Sequence, residues 1–241
     1  MVIETDQKVE FLKKVVHESW VPVLTPLFKS PILDEVLVKL ANAKDAGDEF
    51  TPDLGQAFNA FKYCTFDDCR VVILGQDPYH QKGVATGVAF ANKIKGNYPM
   101  SPSLMIIMEE LQESVPNFNE YNFIANSDLL HLEKQGVLLL NSALTVELNR
   151  PGSHRTLWTL FMQELIKTIS SVKKPMIYVF LGAVAKAFIK FVEPGNDIIT
   201  GLHPAADTYG GQRLFRGSGV FNLINQSILK NELGSKINWE E

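Results

Sequence analysis

The sequence predicts an α/β fold, a single domain with a central, mostly parallel, four-stranded twisted sheet flanked by helices on both faces. Three observations carry this reading. Four short runs, at 71–74, 137–140, 176–181 and 197–200, have the length of strands, and the first three are continuously apolar, as buried strands are. Segments of helical period lie between them, an alternation that implies parallel strands joined by crossover helices. The 241 residues hold no repeat, low-complexity tract or linker, so one domain over 1–241 is expected.

In chain order, residues 6–19 place Val9, Leu12, Val15 and Val16 at helical spacing, and Pro22 reads as a stop. Residues 31–44 form a second helix, with Pro31 at its start and Ile32, Leu33, Val36, Leu37 and Leu40 on one stripe. A polar loop at 45–53 precedes a short helix at 57–63 and a turn at 65–68. The first strand, 71–74, stops at Gly75. Residues 88–91 read as a short strand. The segment 98–103 reads as a rigid loop, and Ser101 or Ser103 is placed to cap a helix at 103–113. Residues 114–126 read as polar turns, 129–135 as a short helix closed by Gly136, and 137–140 as the second strand. A strong amphipathic helix at 156–171, a strand at 176–181, a helix at 183–192, a strand at 197–200, a long loop at 205–219 and a helix at 222–231 complete the chain.

Composition narrows the function classes. Apolar residues make up 46% and charged residues 21%, so a core can form without covalent staples. A formal net charge of −4 argues against a broadly basic nucleic-acid wrapper, though not against a local basic groove. Only Cys64 and Cys69 are present, too few for a disulfide framework or a zinc cluster, and a reducing compartment is expected. Residues 1–14 lack a signal-peptide core and no run approaches transmembrane length. A soluble protein with no membrane association is expected, cytoplasmic or, in a eukaryotic or viral setting, nuclear or host-cell.

The loops after the strands carry the chemistry. In open α/β sheets ligands bind beyond the carboxyl ends of the strands. Asp77, Tyr79 and His80 follow the first strand, Asn141 closes the second, Gly182 the third and His203 the fourth. Three chemistries fit this constellation. A metal site built on Asp77, His80 and His203 lacks the further carboxylates of a magnesium site and the fuller ligand set of a zinc site. A serine or cysteine hydrolase needs a nucleophile where Gly182 and Ala183 stand. The third is bond cleavage through a cationic transition state, with Asp77 stabilising the cation or orienting water, His203 donating to a developing anion and Asn141 reading a polar edge. It needs no metal or cofactor. Against these stand plainer roles: Asp77 as a turn residue, Asn141 as a strand-end cap, His203 as a satisfied structural histidine and Phe90 as core. Trp20, Trp158 and Trp239 read as packing residues, and His154 and Arg155 fit a DNA groove and a solvated loop equally.

Gly75-Gln76-Asp77-Pro78-Tyr79-His80 resembles the water-activating loop of the family 1 uracil-DNA glycosylases. Leu138-Leu139-Leu140-Asn141 with Leu144-Thr145-Val146 is similar to that family's uracil-reading strand, Pro102-Ser103-Leu104 to its proline-rich loop, Gly182-Ala183 to its Gly-Ser loop and His203-Pro204 to its final His-Pro loop. The motifs keep the family's order over roughly 50–226, and the combination is specific where no single piece is. The resemblance implies that Asp77 positions water and stabilises the sugar cation, and that His203 hydrogen-bonds uracil O2. It implies that Asn141 reads the uracil edge, Tyr79 excludes thymine's methyl, Phe90 stacks on the flipped base and the Gln76 backbone helps bind uracil. Pro102, Ser103, Gly182, Ala183 and Pro204 are implied to meet DNA. It further implies uracil-containing DNA, single- or double-stranded, as partner, DNA-mimicking proteins as possible inhibitors, and a monomer. A catalytically weak glycosylase-like replication partner is the second functional class.

The chain departs from the family pattern in its DNA-handling parts. Ala205-Ala206-Asp207 stands where Ser-Pro-Leu is usual, Ala183 where a serine is usual, and Val84 and Thr86 replace a glutamine and a histidine. About three extra residues follow Tyr209. Leu214 or Phe215, with Arg213 and Arg216 beside it, is expected to supply the wedge and the phosphate contacts.

Overall fold

The computed structural model describes residues 4–92, 100–173, 175–208 and 213–241. The chain opens with α1 (Thr5–Val15), α2 (Val21–Lys29) and α3 (Pro31–Asp45), then β1 (Phe50–Thr51), α4 (Ala60–Tyr63) and β2 (Val71–Gly75). Next come α5 (Pro102–Ser114), α6 (Glu120–Ala125), α7 (Leu130–Glu133), β3 (Val137–Asn141) and β4 (Val146–Glu147). It closes with α8 (Arg155–Val172), β5 (Ile177–Leu181), α9 (Ala183–Lys186), β6 (Asp197–Gly201) and α10 (Val220–Lys230).

Four strands pair in the order β3-β2-β5-β6, and every pairing is parallel. The strands β2, β3 and β5 are buried along their whole length, as expected of a sheet covered on both faces. Alternate residues point to opposite faces. Val72, Leu74, Leu138, Leu140, Tyr178 and Phe180 pack under α1–α4, α8 and α9. Val71, Ile73, Val137, Leu139, Ile177 and Val179 pack under α5, α6, α7, α10 and the C-terminal Ile237 and Trp239. The edge strand β6 is only partly covered. The three tryptophans are core residues; Trp20 Nε1 donates to the Cys64 carbonyl at 2.7 Å, and Trp158 Nε1 to Thr145 Oγ1 at 2.8 Å.

Several local expectations give way. The first helix has ended before Pro22, at Val15, but a helix not expected there follows: Pro22 sits in the first turn of α2, where no intrahelical donor is needed, and Leu24, Leu27 and Phe28 bury that helix's inner face. The run at 88–91 is not a strand, because Phe90 has φ 65°, a left-handed conformation incompatible with a ladder. The polar stretch at 114–126 contains α6, capped by the Asn119 side chain accepting from the Tyr121 and Asn122 amides. The helix expected over 183–192 is split into α9 and a 3-10 turn at Ile189–Phe191. Within the loop at 45–53, β1 pairs antiparallel with β4. The rigid loop expected at 98–103 lies partly outside the described residues, as do the extra residues after Tyr209.

Candidate active site

The register of β2 against β3 sets the site. Gly75 pairs with Asn141, so the two strands end level and their loops leave side by side. The tie continues past the strands: the Ser142 amide donates to the Gly75 carbonyl at 3.2 Å, and the Ala143 amide to the Gln76 carbonyl at 3.2 Å. Ser142 Oγ also donates to the Gln76 carbonyl, at 2.5 Å. Gly75 is required by close approach, since a Cβ there would lie 2.9 Å from Phe90 Cζ and 3.0 Å from Asn141 Oδ1. Across the sheet, Gly182 adopts φ +94°, and a Cβ on it would lie 2.9 Å from His203 Cβ. These two glycines let β2, β3, β5 and β6 deliver Asp77, Asn141 and His203 to one place.

That place is a pocket of about 370 Å³, its open mouth included, walled by Asp77, Tyr79, Phe90, Ser103, Asn141 and His203 among others. The Asp77 side chain is 7% exposed. The Gly152 amide donates to its Oδ2 at 2.6 Å, and Arg155 Nη2 approaches Oδ1 at 3.4 Å. On His203, the Ala205 amide donates to Nδ1 at 3.2 Å. Nδ1 is therefore the unprotonated nitrogen, and a neutral ring carries its hydrogen on Nε2. Burial pushes His203 below its ordinary range; the Asp77 charge opposes this and the Arg155 charge reinforces it. The ring stays neutral at pH 7 and offers an N–H to an anion.

Phe90 forms the aromatic wall, with its ring centroid 5.8 Å from that of His203 and the planes at 41°. Its left-handed backbone is held by Tyr79, whose hydroxyl donates to the Phe90 carbonyl at 3.1 Å. Burial raises the Tyr79 phenol to about 12, against a smaller lowering by the Ser101 hydroxyl, so Tyr79 remains a neutral donor. His154 is a structural residue: it is buried, its Nδ1 sits 2.9 Å from Thr145 Oγ1, and Thr145 holds Trp158.

The remaining predicted site residues fall around this pocket unevenly. Ser103 lines it, at the N-terminal turn of α5, and Pro102 is exposed beside it. Gln76 does not: its carbonyl is committed to Ser142 and Ala143. Gly182 and Pro204 are buried and Ala183 is exposed, outside the pocket wall. His80 likewise stands outside the wall. Among the described residues no group of His, Cys, Asp or Glu is arranged to hold a metal ion, and no helix is long and apolar enough to cross a membrane.

The loop after His203 corrects the expected wedge. Phe215 is 0% exposed and stacks edge-on to Phe221 at 6.3 Å; it is core and cannot enter DNA. Arg216 is tied to Glu109 at 2.7 Å and to the buried Asp207 at 3.0 Å, so its guanidinium is not free for phosphate, while Arg213 makes a surface pair with Glu113. Leu214 is 47% exposed. Asp207, which stands at the usual wedge position, is itself an anchor. Its fully buried carboxylate accepts from the Leu214 and Phe215 amides at 2.6 Å each and from the Arg216 amide at 3.0 Å. Sequence reasoning missed this anchor and the grip of Gly152 and Arg155 on Asp77. The one signal for the second was the His154-Arg155 pair at a helix start.

Parallel strands that bring a carboxylate, an amide and a neutral imidazole to an aromatic-walled pocket define an α/β enzyme of the base-excising kind. The sequence profile of the Uracil DNA glycosylase superfamily matches residues 61–227, and the chain belongs to that family. It is 35% identical to a uracil-DNA glycosylase of Dichelobacter nodosus, over 93% of this chain and 95% of the relative. It is 34% identical to one of Campylobacter hominis, over 97% and 95%. The crystal structure of mimivirus uracil-DNA glycosylase superposes with a TM-score of 0.80 at 22% identity, covering 98% of this chain and 89% of that one. A point variant of mimivirus UNG solved in complex with UGI gives 0.79 at 23% identity, over 99% and 91%. At these identities the two structures speak for the fold.

Proposed function

We propose that the chain excises uracil from DNA by hydrolysing its N-glycosidic bond, releasing free uracil and leaving an abasic site. The observation that carries this is the neutral His203, fixed as the Nε2–H tautomer by the Ala205 amide and facing the same pocket as Asp77 and Asn141. The C1′–N1 bond breaks with its electron pair going to uracil. His203 Nε2–H donates to O2 as negative charge builds there, a preorganised donor worth ~3 kcal/mol in such sites. Asp77, held by Gly152, stabilises the oxocarbenium-like sugar and orients the water that adds to C1′, accepting its proton. Asn141 reads the N3–H and O4 edge with one acceptor and one donor; cytosine presents the reverse pattern and is refused.

Thymine differs by one methyl, and attractive contacts discriminate a methylene by only ~1–3 kcal/mol. Tyr79, bonded to the Phe90 carbonyl, is the rigid wall that excludes it. Flipping a base costs a few kcal/mol, and stacking on Phe90 returns about 1–3 kcal/mol. Single- and double-stranded uracil-DNA both serve as substrate, with Pro102, Ser103, Gly182, Ala183 and Pro204 on the DNA side and Leu214, exposed on the Asp207-anchored loop, as the wedge. All site groups come from one chain, which suits a monomer. A DNA-mimicking protein of the kind bound to mimivirus UNG would compete for this face. Both cysteines are free and buried, which suits a reducing cytoplasmic or nuclear setting.

Uracil release from single- and double-stranded oligonucleotides in EDTA tests the reading, with Asp77→Asn as control. Release by the wild type, lost in the variant, is expected. No release from either substrate would leave a DNA-binding module without this chemistry, and release abolished by EDTA would point to a metal.

A further inference from the structure

Arg155 is underused by the mechanism above. It opens α8, and its Nη2 lies 3.4 Å from Asp77 Oδ1, longer than the roughly 2.7–2.9 Å of a good charge-assisted bond. Its Nε is buried and meets no partner among the described residues, while the side chain as a whole is 37% exposed. The guanidinium therefore runs from an unsatisfied buried donor to solvent beside the reactive carboxylate. It lies against Gly152, with Cζ and Nε each 2.9 Å from where a Cβ on that glycine would stand.

Three plain explanations for Arg155 fail. Asp77 does not need it for orientation, because the Gly152 amide makes the short bond, 2.6 Å. The helix does not need it, because a cation at a helix N-terminus opposes the macrodipole. The sugar cation does not need it, because a neighbouring positive charge raises the energy of that cation. An anion that arrives with the substrate removes all three objections. A phosphodiester accepts two parallel bonds from the Arg fork, satisfies Nε and screens the guanidinium from the sugar. Among the described residues, Arg216 is committed to Glu109 and to the buried Asp207, and Arg213 makes a surface pair with Glu113. Ala183 and Ala205 carry no hydroxyl for a phosphate.

We propose that Arg155 binds a phosphodiester of the DNA strand carrying the target nucleotide, swinging from Asp77 to that phosphate as the strand docks. The inference rests on the uracil-excising reading for its substrate. Docking thereby leaves Asp77 Oδ1 free to face water and sugar, while Gly152 keeps the carboxylate in place.

The test is binding, not turnover. A single-stranded oligonucleotide with thymine in place of uracil is titrated with wild type, R155Q and R155K over a range of salt concentrations. Loss of one phosphate contact lowers the slope of log K against log salt by about 0.7 for single strands. R155Q is expected to show that drop and about tenfold weaker binding at low salt; R155K is expected to keep most of the slope. If R155Q does not fold, R155M must show the same drop. An unchanged slope in the neutral variants overturns the proposal. A fall in kcat with an unchanged slope overturns it too, and makes Arg155 a positioning residue for Asp77. Failure of the uracil reading is seen separately, as a wild type that binds this strand but releases no uracil from its uracil counterpart.

Discussion

Replacing Asp207 with alanine removes one buried carboxylate and strands the groups it holds. The amides of Leu214, Phe215 and Arg216 and the Arg216 Nε all donate to it, at 2.6 to 3.0 Å, and its side chain has no exposure. Phe215 is buried directly behind them, so water reaches the orphaned donors poorly. Breaking a buried pair by deleting one partner costs about 3–5 kcal/mol, a large share of the roughly 5–15 kcal/mol that holds a domain together. Urea unfolding of Asp207→Ala should therefore show a midpoint shift of that size with the slope unchanged. Hydrogen exchange should quicken first at 214–216. Asp207→Asn, which keeps one acceptor oxygen, should fall between. The wild type adds a pH signature. Burial pushes this carboxyl up, but the Arg216, Phe215 and Leu214 amides and the Arg216 side chain outweigh it and hold it below the ordinary carboxylate range. The folded value lies under the unfolded one, so this stabilisation is complete above about pH 4 and is lost as pH falls through the folded value. A loss below about 1 kcal/mol in Asp207→Ala would refute the anchor, since that is the cost of a single ordinary hydrogen bond.

Three further outcomes follow from the site. Because burial lowers His203, its ring should read as neutral, with the hydrogen on Nε2, in nitrogen NMR at pH 7. Uracil release should fall only on the acid side, and the stability tied to the neutral ring should be complete above about pH 6.5 and lost as pH drops through the folded value; an imidazolium at pH 7 would contradict this. Gly75→Ala places a Cβ against Phe90 and Asn141, and a shift of the reading groups should lower kcat/KM by about 100-fold with little change in far-UV dichroism. Leu214→Ala should slow release from duplex by about tenfold, while release from single strands, which need no unpairing, stays within about twofold; equal effects on both substrates would remove Leu214 as the wedge.

The sheet was legible because its residues obey one rule at a time. Three apolar runs of four to six residues, each stopped by glycine or a polar residue, admit few alternatives to buried parallel strands, and the mixed run at 197–200 came out as the partly covered edge strand. The gaps arise where local and tertiary preferences compete. Pro22 reads as a stop, but the first helical turn tolerates it, and the burial of Leu24, Leu27 and Phe28 decides for a helix. Phe90 reads as a strand residue, yet the hydrogen bond from Tyr79 holds it left-handed. Asp77, Asn141 and His203 were found because each ends a strand, which fixes its location without any knowledge of packing. Asp207, Phe215 and Arg155 sit in loops or at a helix start, where sequence does not say which way a side chain faces. An acid at a wedge position looks like a loss of function until its buried donors are seen.

The level ending of β2 and β3 bears on which changes the chain can survive. Asp77 and Asn141 are spaced by strand register rather than by loop conformation, since Gly75 lies opposite Asn141. One residue inserted into either strand would slide its reactive group about 3.3 Å along the sheet and turn every following side chain to the opposite face. No rotamer change recovers both errors. The loop at 116–119, between α5 and α6, lies outside this ruler, and an insertion before the Asn119 cap would leave the spacing of Asp77 and Asn141 unchanged. The distance between the water-handling and base-reading groups is set by two strands with no slack, so added length is tolerated only in the connections.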